Sequence, residues 1–111
     1  MGYCHVKHQC LVVRLPREID HYQAEKVRKE MEMEFMRSLI RDIIFDFSET
    51  SFMDSSGIGL ILGRVREMEI VSGRVFLFGG NHIISRMWEM SGILSHVIIL
   101  NTIEEMKEVY E

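Results

Sequence analysis

The sequence predicts one α/β domain over residues 1–111, with a mixed, largely parallel sheet of four to five strands. A chain of 111 residues can bury a single hydrophobic core. Hydrophobic residues make up 47% of it and charged residues 27%, a globular composition. Through the last two-thirds of the chain, short apolar runs alternate with amphipathic segments, which is typical of parallel strands covered by helices. We expect about four helices and an N-terminal hairpin.

The N-terminal segment predicts that hairpin. Residues 3–15 are rich in β-forming side chains, and the pattern breaks at residues 7–9. The pairing would place Cys4 opposite Cys10. We interpret both as half-buried thiols, because no further ligands for a metal site accompany them. Pro16 ends the segment, since proline cannot donate a hydrogen bond to a sheet.

A long amphipathic helix is predicted next. Asp20 is its candidate N-cap, and the helical pattern continues to about Ile40. Charged residues between positions 25 and 32 form a solvent-exposed face. Apolar residues at three- and four-residue spacing form the buried stripe, namely Ala24, Val27, Met31, Phe35 and Leu39.

Strands and helices then alternate to the end of the chain. Short apolar runs predict strands at residues 43–47, 75–78 and 97–100. Candidate N-caps predict helices that begin after Asp54, Asn81 and Thr102, the last in a capping box with Glu105. Side chains spaced for burial are Ile58, Ile61, Leu62, Val65 and Met68 in the first of these helices and Ile83, Ile84, Met87 and Trp88 in the second.

Charge and hydropathy exclude several functional classes. The 13 Lys and Arg residues are outnumbered by 17 Asp and Glu residues, which gives a net charge of −4 and argues against nucleic acids or anionic lipids as partners. The longest aliphatic run, residues 97–100, is far shorter than the ~20 residues of a membrane-spanning helix, and no signal peptide is recognisable. Two cysteines cannot form a disulfide framework, so we expect a reduced, cytoplasmic protein.

The candidate functional segment is residues 52–59, Phe-Met-Asp-Ser-Ser-Gly-Ile-Gly, between a strand and a helix. Open α/β sheets place functional groups at this position. With Asp54 as the N-cap, Ser55 and Ser56 lie in the first helical turn, whose unpaired N–H groups attract negative charge. A phosphate on Ser56 would meet those donors.

Other interpretations of this segment remain open on spacing alone. Asp54 can act only as a cap, with the glycines serving close helix–sheet packing. The spacing of Gly57, Gly59 and Gly63 is not the dinucleotide-binding GxGxxG pattern. A nucleophilic serine would need a base, for which His82 is the candidate, and the Gly-x-Ser-x-Gly elbow is missing.

Residues 52–59 and the following 61–64 closely resemble the signature of STAS-domain anti-sigma-factor antagonists, in particular the sporulation type of spore-forming Firmicutes. Residues 14–21, Arg-Leu-Pro-Arg-Glu-Ile-Asp-His, match the first loop of that family. Residues 90–93, Met-Ser-Gly-Ile, match the element after its third helix. These blocks keep the family's spacing over essentially the whole chain, which implies a STAS-like fold.

The resemblance implies a switch rather than an enzyme, with no catalytic residue and no metal site in this chain. Ser56 would be phosphorylated by a partner anti-sigma factor that is itself a serine kinase and binds the ATP, so no cofactor is expected here. The unphosphorylated form would bind the kinase and release a sporulation sigma factor. The phosphorylated form could not bind the kinase until a metal-dependent serine phosphatase removed the phosphate.

The resemblance also implies the partner contacts. Asp20, in the first loop, would lie near the phosphorylated serine at the interface. We expect Ile58 to belong largely to the core and Leu60, which falls off the buried stripe, to be an exposed contact. The full predicted contact set is Asp20, Asp54, Ser55, Ser56, Gly57, Ile58 and Leu60.

One residue departs from the family pattern, and one alternative function remains. Arg17 stands where the family has glycine; if that position requires a positive φ, a side chain costs about 1 kcal/mol or changes the turn. The alternative is a signalling module without sigma-factor control. In that module, the helix N-terminus near Gly79 and Gly80 would hold a nucleotide or another anion.

Overall fold

A five-stranded sheet lies at the centre of the computed structural model, which describes residues 2–111. From one edge to the other its strands are residues 4–7, 10–14, 42–46, 74–78 and 98–100; the first two are antiparallel and the other neighbours are parallel. The predicted mixed, largely parallel sheet with an N-terminal hairpin and four helices is therefore confirmed. In chain order the elements are β1 (Cys4–Lys7), β2 (Cys10–Arg14), β3 (Glu18–Ile19), α1 (His21–Arg37), β4 (Asp42–Asp46), β5 (Phe52–Met53), α2 (Ser55–Ile70), β6 (Arg74–Phe78), α3 (His82–Ser91), β7 (Ile98–Leu100) and α4 (Ile103–Tyr110).

Both faces of the sheet are covered by helices. In the central strand β4, Ile43 and Phe45 pack into the larger core with α1, α2 and α3. Ile44 points to the opposite face, where it packs with Met106 of α4. All three strand residues are fully buried, because alternate side chains of a strand point to opposite faces and both faces are covered. This explains the continuous apolar run in the sequence.

The hairpin register corrects the predicted cysteine pairing. Cys4 lies opposite Val13, and Cys10 lies opposite Lys7, so the two thiols do not face each other. The turn has two residues, 8–9, with φ angles of 51° and 65°, as in the tight turns that connect adjacent strands. Because such a turn pairs the residues immediately before and after it, position 4 must pair with position 13.

Both cysteines are free: Cys4 is half-buried, as predicted, whereas Cys10 is fully buried. Burial, with smaller contributions from the carboxylates of Glu30 and Glu34, raises the pKa of Cys4 to about 12. Burial, together with the Asp42 carboxylate, raises the pKa of Cys10 to about 12 as well. Because a thiol reacts as its thiolate, both cysteines are weak nucleophiles near neutral pH.

The predicted helix starts are confirmed. Side chains of Asp20, Asp54, Asn81 and Thr102 each accept a hydrogen bond from a backbone N–H in the first turn of the following helix. The Thr102 hydroxyl accepts from the Glu105 N–H at 3.0 Å, and the Glu105 carboxylate accepts from the Thr102 N–H at 3.3 Å. These two bonds complete the predicted capping box.

Two apolar residues predicted to be buried, Leu39 and Ile83, are exposed. Helix α1 ends at Arg37, and the Ser38 N–H donates to the Glu34 carbonyl, so Leu39 falls beyond the helix and is exposed. Ile83 is also exposed because α3 turns Ile84 and Trp88, four residues apart, toward the core. Within residues 2–111, no helix is long and apolar enough to cross a bilayer.

Alkylation tests the burial of the two thiols. At pH 8, iodoacetamide should modify Cys4 and Cys10 at least about 100-fold more slowly in the native protein than in guanidinium chloride, because burial suppresses the thiolate. Intact-mass analysis over time measures both rates. Rapid double modification of the native protein would contradict the buried hairpin geometry.

Candidate functional site

Two short parallel strands bring the first loop beside the Asp-Ser-Ser-Gly segment. Glu18 of β3 pairs with Phe52 of β5, and Ile19 pairs with Met53. The Asp54 N–H extends this ladder by donating to the Ile19 carbonyl at 3.0 Å. Strands β3 and β5 are not predictable from the sequence, because two residues are too few to show a strand periodicity. Their pairing sets the relative positions of the starts of α1 and α2.

Equivalent aspartates follow the two strands and cap the two helices. The Asp20 carboxylate accepts from the Gln23 N–H, and the Asp54 carboxylate accepts from the Ser56 N–H, each at 2.8 Å. Both caps have extended backbone, with φ near −103° and −101°. Each carboxylate is therefore held in a fixed orientation at the positive end of a helix dipole.

The start of α2 is less open than the sequence predicts. Asp54 already occupies two of its donors, because its carboxylate accepts from the Ser56 N–H and its carbonyl accepts from the Gly57 N–H at 3.0 Å. In the unmodified protein both donors are therefore already engaged, and that a phosphate on Ser56 would meet them stays a prediction. A phosphate on the Ser56 hydroxyl would also lie near the anionic Asp54 cap, where a counter-charge from another element would stabilise it.

A groove between α1 and α2 contains Ser56 and has a volume of about 280 Å³. The side chain of Ser56 is half-buried there, within reach of solvent. Gly59 leaves this side of α2 open, because a Cβ at that position would meet no heavy atom within 4 Å. The groove is lined by His21, Ala24, Glu25, Arg28, Ser56, Gly59 and Leu60. We call it the Ser56 groove.

Arg28 carries the permanent positive charge of the Ser56 groove, and it forms ion pairs with two carboxylates. Its Nη2 atom donates to Glu25 at 2.7 Å, and its Nε atom lies 3.1 and 3.2 Å from the two Glu25 oxygens. Its Nη1 atom donates to Glu32. The hydrogen bond from Arg28 lowers the pKa of Glu25 and raises that of Arg28. In the unmodified protein the guanidinium is thus already neutralised.

The predicted contact residues differ in exposure. Two side chains, Asp20 and Ser55, are exposed on the surface around the groove. A second group is half-buried and consists of Asp54, Ser56 and Ile58. Ile58 packs against the core, as expected. Two positions are buried, namely Gly57 and Leu60.

The expectation that Leu60 is exposed is wrong, since it is only 7% exposed and belongs to the core. Helix α2 packs against α1 as well as the sheet, so it buries a second row of residues that a one-sided stripe does not include. A Cβ at Gly57 would come within 2.6 Å of the Met53 sulfur, so a side chain there would require the Met53 thioether to shift. Because Gly57 and Leu60 are buried, they can define the shape of the groove but do not present side chains to a partner.

Arg17 occupies the loop without backbone strain. Among residues 2–111, positive φ angles outside glycine occur at His8, Gln9 and Ser72, so position 17 does not need the glycine that the family has there. The Arg17 carbonyl accepts a hydrogen bond from the Ser51 N–H at 2.8 Å. The loop therefore keeps its contact with the Asp-Ser-Ser-Gly segment.

The glycines suggested as an alternative ligand site are explained by packing. A Cβ at Gly79, which has φ of 81°, would lie 2.9 Å from the Ser48 backbone. A Cβ at Gly80 would lie 2.5 Å from the Trp88 ring. The first turn of α3 is already capped, because the Ile84 N–H donates to the Asn81 side chain at 2.8 Å.

The groove also contains functional candidates that sequence analysis did not identify. His21 lines it, whereas His82, the candidate base from the sequence, is exposed at the start of α3 and does not. The Glu25–Arg28–Glu32 spacing is visible in the sequence as an ion-pair pattern, but its proximity to Ser56 is not. Among residues 2–111, no three His, Cys, Asp or Glu side chains are grouped as metal ligands.

Comparison with known proteins agrees with this geometry. Residues 4–106 match the STAS domain family. The chain is 36% identical over 88 residues to an anti-sigma F factor antagonist of Lysinibacillus sphaericus, covering 79% of this chain and 75% of the relative. It is 32% identical over 103 residues to an anti-sigma F factor antagonist of Paenibacillus polymyxa, covering 89% and 88%.

A solved structure extends the likeness to the fold. The Bacillus cell fate determinant SpoIIAA in the phosphorylated form superimposes with a TM-score of 0.77 at 33% identity, covering 96% of each chain. The chain belongs to the STAS-domain family, as an anti-sigma-factor antagonist of the sporulation, SpoIIAA type.

Proposed function

We propose that this antagonist is switched by phosphorylation of Ser56. The unphosphorylated form binds an anti-sigma serine kinase in the cytoplasm and so releases a sporulation sigma factor. Phosphorylation abolishes that binding until a metal-dependent serine phosphatase removes the group. The observation that carries the proposal is the half-buried Ser56 hydroxyl in the first turn of α2, at the mouth of the Ser56 groove and beside two capping aspartates.

The transfer step makes this chain a substrate rather than a catalyst. Ser56 Oγ attacks the γ-phosphorus of ATP held by the kinase. The bond between that phosphorus and the β–γ bridging oxygen breaks, and ADP leaves. The hydroxyl proton passes to a base of the kinase. Ser56 needs only to be accessible and held in one position, which the Asp54 cap provides.

The phosphoryl group changes the charge that a partner meets. It adds about −1.5 to −2 charges at pH 7 beside the carboxylates of Asp20, Asp54 and Glu25. A partner that closes over this surface must remove water from the dianion. A penalty of about 3 kcal/mol lowers affinity by about 100-fold, which is sufficient for a switch without a large conformational change.

Intact-mass analysis tests the site of modification. Incubation with ATP, magnesium and the anti-sigma kinase of the same genome should add one phosphoryl group to the wild type and to Ser55→Ala. It should add none to Ser56→Ala, because that variant lacks the nucleophile.

The paired serine variants make this result decisive. Modification of Ser56→Ala together with loss of modification in Ser55→Ala would transfer the site to Ser55. No gain in mass in the wild type, with a kinase that is active on another antagonist, would refute the proposed switch.

A pair of glycine variants tests whether the kinase docks over the Ser56 groove. Gly59 and Gly63 are both exposed in α2, and a Cβ at either would meet no heavy atom within 4 Å. Alanine at each should stabilise the helix by about 0.5–1 kcal/mol. Only Gly59→Ala adds a methyl group to the groove, so it alone should weaken binding of the unphosphorylated protein to the kinase, by about tenfold.

Chemical denaturation and titration calorimetry measure these two effects separately. Gly63→Ala is the matched control, because Gly63 does not line the groove. Equal kinase affinities for both variants would place the docking surface elsewhere.

A further inference from the structure

We infer that the Ser56 groove is an internal receptor for the phosphoryl group, in which Arg28 exchanges its ion pair with Glu25 for an ion pair with phosphoserine 56. The inference rests on the proposed function for the occurrence of that phosphoserine. It adds a second consequence of modification, because Glu25 becomes an unpaired carboxylate on the surface of α1. Phosphorylation then alters the charge of the partner-facing surface at two positions.

The geometry of the groove suits a phosphoryl group. Residues 21, 25 and 28 follow a helical spacing that places them along one side of α1, facing Ser56 across the groove. The volume of about 280 Å³ exceeds that of a phosphoryl group and leaves room for several waters, which occupy about 30 Å³ each. Gly59 contributes no side chain that would obstruct the space between the two walls.

The hydrogen bonds of Arg28 favour the exchange. Its Nε and Nη2 atoms form the edge that holds Glu25, while Nη1 holds Glu32 on the other side. This Nε–Nη2 edge is a planar two-donor fork that also matches two phosphate oxygens. Arg28 can therefore turn one edge to phosphoserine 56 and keep Glu32 on the other.

Glu25 is the weaker of the two competing acceptors. The Glu25 and Arg28 side chains are about 39% and 40% exposed, and an ion pair so accessible to water contributes little to stability. A phosphate carries more charge than a carboxylate and forms stronger charge-assisted hydrogen bonds with a guanidinium. The displaced Glu25 carboxylate can turn into solvent.

A counter-charge from α1 is favoured because two donors at the start of α2 are already engaged. The Ser56 and Gly57 N–H groups already donate to Asp54, whose carboxylate lies in the same turn as the modified serine. The charged or titratable side chains of the groove are Glu25, Arg28 and His21, with the capping Asp54 beside Ser56. Arg28 carries the permanent positive charge among them.

Titration of an installed phosphoserine tests the exchange. Phosphoserine is incorporated genetically at position 56, so that the result does not depend on a kinase, and its second pKa is measured by ³¹P NMR. A guanidinium in contact stabilises the dianion, so Arg28→Gln should raise this pKa by about 1 unit relative to the wild type. Glu25→Gln should lower it, because the competing acceptor loses its charge.

Lys29→Gln is the matched control, since Lys29 is the next residue of α1, loses the same charge and does not line the groove. It should leave the pKa nearly unchanged. Arg28→Lys, which keeps the charge but not the fork, should give an intermediate value. Each titration is repeated with His21→Gln, because His21 also lines the groove.

The outcomes separate this inference from the proposed function. Equal pKa changes in Arg28→Gln and Lys29→Gln, or no change in either, would overturn the receptor even if the kinase modifies Ser56. An Arg28-specific change, combined with a kinase that leaves Ser56 unmodified, would support the receptor geometry and refute the proposed switch.

Discussion

The parallel pairing of β3 with β5 is the constraint on which the functional surface depends. Four residues form this small sheet, yet they align the loop before α1 with the loop before α2. Asp20 and Asp54 follow the two strands at equivalent positions and so begin the two helices beside each other. Without this pairing, the first loop and Ser56 would belong to separate parts of the surface.

The capping aspartates determine the electrostatics of that surface. A free helix N-terminus attracts anions, but Asp54 satisfies two donors of α2 with its own carboxylate and carbonyl. The positive charge of the site therefore comes from a side chain, Arg28 of α1, which is held by Glu25 and Glu32. Helix packing, rather than the helix dipole alone, supplies a partner for an added anion.

Several departures from the sequence prediction depend on geometry that periodicity does not encode. Leu60 is buried because α2 faces both the sheet and α1, and Ile83 is exposed because α3 contacts the core through Ile84 and Trp88. Cys4 and Cys10 are separated because a two-residue turn defines the register of the hairpin. In each case, the neighbour that decides the outcome is distant in sequence or depends on the exact turn, and periodicity alone does not identify it.

The sequence by itself determined the α/β class, the helix starts and the Asp-Ser-Ser-Gly signature, because apolar periodicity and capping are local properties. It also located Ser56 at a helix start. Only the tertiary structure decided that Arg28 and His21 share a groove with Ser56. These relationships join α1 to α2 across about thirty residues, and their geometry follows from how the two helices pack.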